Sequence, residues 1–410
     1  MAGPLTGVKV VDLTMNISGP SLTMILADLG AEVIKIEKPN IGDDSRKMDP
    51  LMAGEGVYYL NINRNKRSIV INIKIDEGKQ LVYDLVKKAD VFVENFRYGK
   101  AAELGFDYET LKELNPQLIY CSLSAYGQQG EKRYKPGYDA IVQGDTGIIG
   151  INGTEEDGMA RAAVSILDQG SAMWGAIGIV SALYYRALTG SGQKVETSLF
   201  ETGIFWMGYH ILSYLATGKA PKKMGTNHAS FAPYGDFQTA DDPIMIGISN
   251  DLLFARLCKV LNKEEWIEDP RFRMNVDRVK NRRELNAAIE EVLKQKPASY
   301  WIKEMEKRGI PCSVIQNISQ VIQDPQTVST GMLVEVDHPE IPDLKVTRIP
   351  VQLSKTRLEI TKHPPRLGED TVDILREHGY NQQQIERLLE KGVIQAKIRE
   401  KTSYKKSREF

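Results

Sequence analysis

Asp168 lies in Ser165-Ile-Leu-Asp-Gln-Gly-Ser-Ala, directly ahead of a stretch in which small and apolar residues recur at helical spacing. The pattern predicts one long helix from Gln169 to Leu188, with Gly170, Ala172, Gly175, Ala176 and Gly178 forming a small-residue stripe for close packing. At that position an acidic side chain accepts hydrogen bonds from the first free N–H groups of the helix, so Asp168 reads as an N-cap. The same groups and the positive helix end favour an ionised carboxylate. Other chemistries find no residues to carry them. The five histidines, His210, His228, His338, His363 and His378, lack ligand spacing, and no metal site is expected. Three scattered cysteines, Cys121, Cys258 and Cys312, are too few for a disulfide framework or a zinc site and indicate a reducing, cytoplasmic compartment. There is no Walker loop, no H-E-x-x-H and no G-x-S-x-G elbow. After the first strand stands Asn16-Ile-Ser-Gly-Pro rather than the glycine fingerprint of a dinucleotide site.

The elements that must position such residues are legible from periodicity. Val8–Leu13, Val33–Glu37, Ser68–Ile73, Val91–Glu94, Leu118–Leu123 and Val195–Leu199 read as strands, and Ser21–Leu29 and Glu77–Lys88 as helices between them. Nearly all-apolar strands separated by helices indicate a parallel sheet covered on both faces. The basic, Gly/Pro-containing stretch Ala216–Ser230 marks a boundary. Beyond it, strands at Ile244–Ile248 and Pro311–Ile315 and helices at Asp251–Leu261, Arg282–Leu293 and Ser299–Arg308 make a smaller α/β unit. Further strands are expected at Leu333–Val336 and Val346–Ile349, and a helix around Gln383–Lys391. The expected fold is a doubly wound, mostly parallel, Rossmann-like α/β domain formed by residues 1–215 and 326–410, with a smaller α/β domain inserted at 225–325.

At 410 residues, 42% hydrophobic and 26% charged, the composition is that of a globular protein and excludes a disordered or fibrous one. Fifty-three basic against 54 acidic residues leave a net charge of −1, which provides no electrostatic footprint for nucleic acid or an anionic membrane. No signal peptide is expected from the first residues. The longest apolar run, Ala172 to Tyr185, is shorter than the roughly 20 residues a membrane span needs. The basic end Lys397–Phe410 reads as a solvated tail.

Val8-Lys-Val-Val-Asp-Leu-Thr, Ser18-Gly-Pro and Leu26-Ala-Asp-Leu-Gly-Ala-Glu-Val-Ile-Lys-Ile-Glu-Lys-Pro together resemble the opening of the class III CoA-transferases. The resemblance continues in order through Asn65-Lys-Arg-Ser-Ile, Asp90-Val-Phe-Val-Glu-Asn-Phe-Arg, Leu104-Gly-Phe-Asp-Tyr, Gly137-Tyr-Asp, Thr189-Gly-Ser-Gly-Gln-Lys-Val, Ala232-Pro-Tyr, Gly309-Ile-Pro-Cys and Pro365-Arg-Leu-Gly-Glu. It implies transfer of CoA from an acyl-CoA donor to a free carboxylic acid, with no cofactor beyond the CoA thioester substrate. Asp168 matches the family nucleophile, whose ionised carboxylate attacks a thioester. The implied CoA-binding positions are Lys38, Ile71 and Lys74, then Asn95 and Phe96. All follow strand ends, where open α/β sheets bind ligands. Arg97 and Lys100 are candidates to replace a basic residue whose place is taken by Glu103, and Tyr138 belongs to the Gly-Tyr-Asp motif. Ile17 stands where formyl-CoA:oxalate enzymes carry glutamine, while Asn227-His-Ala-Ser-Phe-Ala-Pro-Tyr resembles dicarboxylate-using branches, for which succinyl-CoA is the expected donor. The rival within the superfamily is an α-methylacyl-CoA racemase, which carries a histidine where Tyr138 stands; a tyrosine of ordinary pKa, about 10, is a poor base at neutral pH. Members form interlocked homodimers, and the long connectors expected around 200–225 and 320–350 suit that assembly.

Overall fold

The alternation of apolar strand and amphipathic helix builds a seven-stranded sheet in the computed structural model, which describes residues 3–396. The basic tail from Lys397 lies outside the described residues. The strands are β1 (Lys9–Leu13), β2 (Glu32–Glu37), β3 (Lys66–Ile71), β4 (Val91–Glu94), β5 (Ile119–Ser124), β6 (Lys194–Ser198) and β7 (Ile394–Gln395). Their order is β6-β5-β4-β1-β2-β3-β7, so the winding reverses between β1 and β4. Six strands run parallel; β7 is antiparallel to β3, with Ile394 opposite Ile71. β4 and β5 are buried along their whole length, as strands covered on both faces must be. One face packs Val11, Ile34, Ile69, Phe92 and Tyr120 against Leu81 and Leu85 of α2 (Asp76–Val86) and against Ile374 and Ile385 near the C-terminus.

Three further helices concern the site. They are α1 (Ser18–Asp28), α3 (Asp139–Asp145) and α4 (Ile166–Thr189), the last followed after β6 by α5 (Leu199–Trp206). The small-residue stripe of α4 lets its neighbours approach its backbone. A Cβ on Gly175 would stand 2.2 Å from Leu22 Cδ1 of α1, and one on Gly178 would stand 2.6 Å from Val195 Cγ1 of β6. With 24 residues, α4 is longer than its uninterrupted apolar run, and it alone among the described helices is long and apolar enough to cross a membrane by length and composition. Its glycine face is occupied by α1 and β6, which accounts for that composition within a folded core.

The chain divides into two compact units. The first comprises residues up to Thr146, Ala162–Tyr209 and the chain from Thr330 onward; the second comprises Gly147–Arg161 and His210–Ser329. In the second unit the antiparallel strands Tyr234–Phe237, Ile244–Gly247 and Cys312–Val314 pack with helices Asp251–Leu261, Arg282–Leu293 and Ala298–Glu306 around Phe254, Leu257, Ile289 and Trp301. Gly147–Arg161 joins it through the N–H of Gly225, which donates to the Gly153 carbonyl at 2.8 Å. The stretches expected as long connectors contain regular structure. Gly208–Thr217 and Ile318–Gln323 are helical, the latter closed by a capping box at Asn317, and Leu333–Glu335 pairs with Lys345–Thr347.

Candidate active site

The C-terminal ends of β1 to β4 open onto a cavity of about 420 Å³. Leu13, Thr14 and Met15 border it after β1, Lys38 and Gly42 after β2, Ile73 and Lys74 after β3, and Phe96 after β4. Of the residues singled out in the sequence, Lys38, Ile71, Lys74, Phe96 and Lys100 line this cavity; Asn95, Arg97, Tyr138 and Asp168 do not. Lys38 is paired with Asp44 at 2.6 Å and Lys100 with Glu103 at 2.5 Å. Among the described residues Lys74 makes no ion pair, and neither does Lys79 of α2, a further cation at the cavity that the sequence reading did not single out. Asn95 has both ends of its amide on Met15: Oδ1 accepts from the backbone N–H at 3.0 Å and Nδ2 donates to the carbonyl at 2.8 Å. It therefore holds the first loop against the cavity rather than reaching into it. Arg97 is exposed and borders a smaller neighbouring cavity of about 220 Å³ with Phe96, Tyr108 and Lys194. Tyr138, at the start of α3, is 70% exposed.

Beneath the cavity lies a buried ionic floor that the sequence reading missed. Lys35 pairs with Asp43 at 2.8 Å and donates to the Thr14 carbonyl at 2.9 Å. Arg46 grips Glu37 with two bonds of 2.8 and 2.7 Å and stacks 3.7 Å over the Tyr59 ring. Lys66 meets Asp12 at 3.2 Å, and Asp12 also accepts from Thr14 and Thr23. Burial alone would raise the Glu37 carboxyl, but Arg46 and Lys35 outweigh it and hold it below the usual carboxylate range. Burial pushes Lys66 down to about 8 against the opposing pull of Asp12. A buried charge without its partner is strongly destabilising, so this network fixes the loops over it rather than adding much net stability. Its signals in the sequence are charged residues set among apolar strand positions: Asp12 in β1, and Lys35 and Glu37 in β2.

Asp168 is half-buried in the first turn of α4. The helix begins at Ile166, earlier than its apolar pattern suggested, so Asp168 is the third helical residue and not the N-cap. Ser165 occupies the cap position and makes no capping bond. Asp139 does that work from α3: its Oδ2 accepts from the N–H groups of Leu167 at 2.7 Å and Asp168 at 3.1 Å. Among the described residues no donor reaches the Asp168 carboxylate. Burial, and then the nearby Asp139, push its carboxyl up to about 7. The expectation that the helix end favours the ionised form is thereby reversed, because another carboxylate already occupies that end. A carboxyl with a proton affinity near neutrality and no hydrogen bonds of its own is suited to nucleophilic or proton-transfer chemistry. The next residue, Gln169, donates to Ser21 Oγ on α1 at 3.4 Å, and α1 follows the loop that carries Thr14 and Met15. No cluster of three or more His, Cys, Asp or Glu side chains among the described residues is arranged to hold a metal ion.

The sequence profile of CoA-transferase family III matches residues 5–371. A human succinyl-CoA:glutarate CoA-transferase is 37% identical over 95% of this chain and 90% of its own length. An acetyl-CoA:oxalate CoA-transferase from Acetobacter aceti is 40% identical over 81% of this chain and 86% of its own. Among solved structures, a CaiB/BaiF family protein from Brucella suis superposes with a TM-score of 0.85 at 36% identity, covering 92% of this chain and all of that one. With a mostly parallel α/β sheet and a match along nearly its full length, the chain belongs to CoA-transferase family III and is a CoA-transferase.

Proposed function

We propose that the enzyme moves CoA from a short acyl-CoA, with succinyl-CoA as donor, to a free dicarboxylic acid through covalent intermediates on Asp168. The acids in the two relatives' names, glutarate and oxalate, are both dicarboxylic. The observation that carries the reading is the Asp168 carboxylate, unbonded among the described residues and with a proton affinity near neutrality. Its oxygen attacks the donor thioester carbonyl, the C–S bond breaks, and CoA leaves as thiolate from a mixed anhydride. The thiolate attacks the aspartyl carbonyl and expels the donor carboxylate, leaving an aspartyl-CoA thioester. The acceptor carboxylate opens that thioester, and the released thiolate takes the acceptor's acyl group, which restores Asp168. Each step joins a nucleophile to an activated carbonyl and needs no external energy source. Lys38, Lys74 and Lys100 supply cations for the CoA phosphates, Ile71 and Phe96 an apolar surface, and Asn95 the shape of the first loop. Arg97 and Tyr138 belong to the rim of this site in the proposal.

We place the activity in an interlocked homodimer. The outward face of α4 supports this: Met173, Ile177, Tyr184 and Leu188 are each more than half exposed in the single chain, a contiguous apolar surface of the kind that association buries. The cysteines are unpaired, in keeping with a reducing compartment such as the cytoplasm. A panel of free carboxylic acids incubated with succinyl-CoA, with CoA esters resolved by mass, tests the reaction. Dicarboxylic acids should yield new esters; if no acid accepts CoA from any of several donors, the proposal fails.

A further inference from the structure

The N-terminus of α4 is capped by a side chain from another helix, and the carboxylate best placed to compete for that role is left out of it. An acid in the first turn of a helix is drawn to the free N–H groups there, which stabilise its charge and lower its proton affinity. Here the N–H groups of Leu167 and Asp168 are already taken by Asp139 Oδ2, at 2.7 and 3.1 Å. Asp139 is itself locked: Gln143 Nε2 donates to its Oδ1 at 2.5 Å, while Gln143 Oε1 accepts from the Ala162 N–H at 2.9 Å and pins the chain entering α4. We propose that Asp139 is a positioning residue of the transfer reaction, which by capping α4 in place of Asp168 leaves the Asp168 carboxylate free of hydrogen bonds from the described residues. The inference rests on the reading of Asp168 as the nucleophile.

Other charges on the elements packed about α4 are turned elsewhere. Glu201 of α5 accepts from Ser198, Asp145 of α3 binds Tyr126 and Lys132, and Lys194 and Glu196 of β6 pair with each other. The N-terminal turn of α1 presents serines and no charge. Asp139 is thus the charged group that acts on Asp168, raising its proton affinity in addition to burial. A hydrogen-bonded carboxylate is a stabilised and weaker nucleophile, so delegating the cap favours attack.

The test is the pH dependence of kcat and KM for wild type, Asp139→Asn and Asp168→Asn with succinyl-CoA and one accepting acid. Wild type should lose kcat as pH falls through about 7. Asp139→Asn removes the negative charge, and the acidic limb should move down by about one pH unit or more, with plateau kcat at least about tenfold lower and KM for succinyl-CoA within about twofold. Asp139→Ser, a smaller uncharged cap, reads the same limb should the asparagine variant not fold. An unmoved limb in the folded variant overturns the positioning role and makes Asp139 a structural cap only. If Asp168→Asn still transfers CoA near the wild-type rate, the nucleophile reading itself fails; an inactive Asp168→Asn with an unmoved Asp139→Asn limb removes the present inference alone.

Discussion

Replacing Asp168 by asparagine should remove activity and at the same time stabilise the fold at alkaline pH. Burial, followed by Asp139, raises this carboxyl from 3.8 to about 7. An acid that holds its proton more tightly in the folded than in the unfolded chain lowers stability as pH rises. The loss is absent below the unfolded value, grows between the two and is complete above the folded one. At 1.36 kcal/mol for each pH unit, the interval corresponds to about 4 kcal/mol, and water reaching the part-buried side chain reduces this to about 2–4 kcal/mol. Asparagine has nearly the same shape and carries no charge, so it escapes the penalty. Urea unfolding of both proteins at pH 5, 6.5 and 8, at one protein concentration, measures the effect. The variant's advantage should widen by about 1–3 kcal/mol between pH 5 and pH 8 and then level off. A difference that is independent of pH, or a wild type more stable at pH 8, would refute the environment described for Asp168.

Three further outcomes follow from the packing and the cavity. Lys38→Ala and Lys74→Ala each remove a cation from the cavity lining; if these cations meet the CoA phosphates as proposed, each contact is worth about 1.5–3 kcal/mol, so KM for acyl-CoA should rise roughly ten- to hundredfold while KM for the acid stays put. A rise in both constants would make these lysines supports of the fold. Gly175→Ala drives a methyl group to 2.2 Å from Leu22 and should cost about 1–3 kcal/mol in thermal unfolding, whereas Gly150→Ala, with nothing within 4 Å, should not lower stability. Diluted to low nanomolar concentration in native buffer, the protein should keep the sedimentation of a dimer; a reversible folded monomer would contradict interlocking.

Local pattern made the sheet legible because its strands are apolar on both faces and its helices have one apolar stripe. The six parallel strands lie within about two residues of their expected bounds, whereas β7, two residues long and paired antiparallel to β3, is too short to leave a periodicity. Ile166 and Leu167 extend α4 beyond its small-residue pattern, and that shift moved Asp168 from the cap into the first turn. Asp139 was visible in Gly137-Tyr-Asp, but its bond to a helix start 28 residues on is a tertiary fact that no spacing encodes. Lys38, Lys74 and Phe96 were legible through the family resemblance alone, since by local sequence the two lysines read as solvated surface; their place after strand ends, where open sheets present loops to ligands, accounts for their lining the cavity. Lys35, Arg46 and Lys66 were not, since a charged residue reads as surface until its buried partners are known.

The most direct measurement of the central claim is to identify the carboxylate that becomes acylated. Protein incubated with succinyl-CoA in the absence of acceptor, treated with hydroxylamine and digested, should carry a hydroxamate on the peptide containing Asp168 when the fragments are weighed and sequenced by mass. Nothing of the kind should form on Asp168→Asn. A hydroxamate on any other aspartate or glutamate, formed equally in the wild type and in Asp168→Asn, would contradict the account.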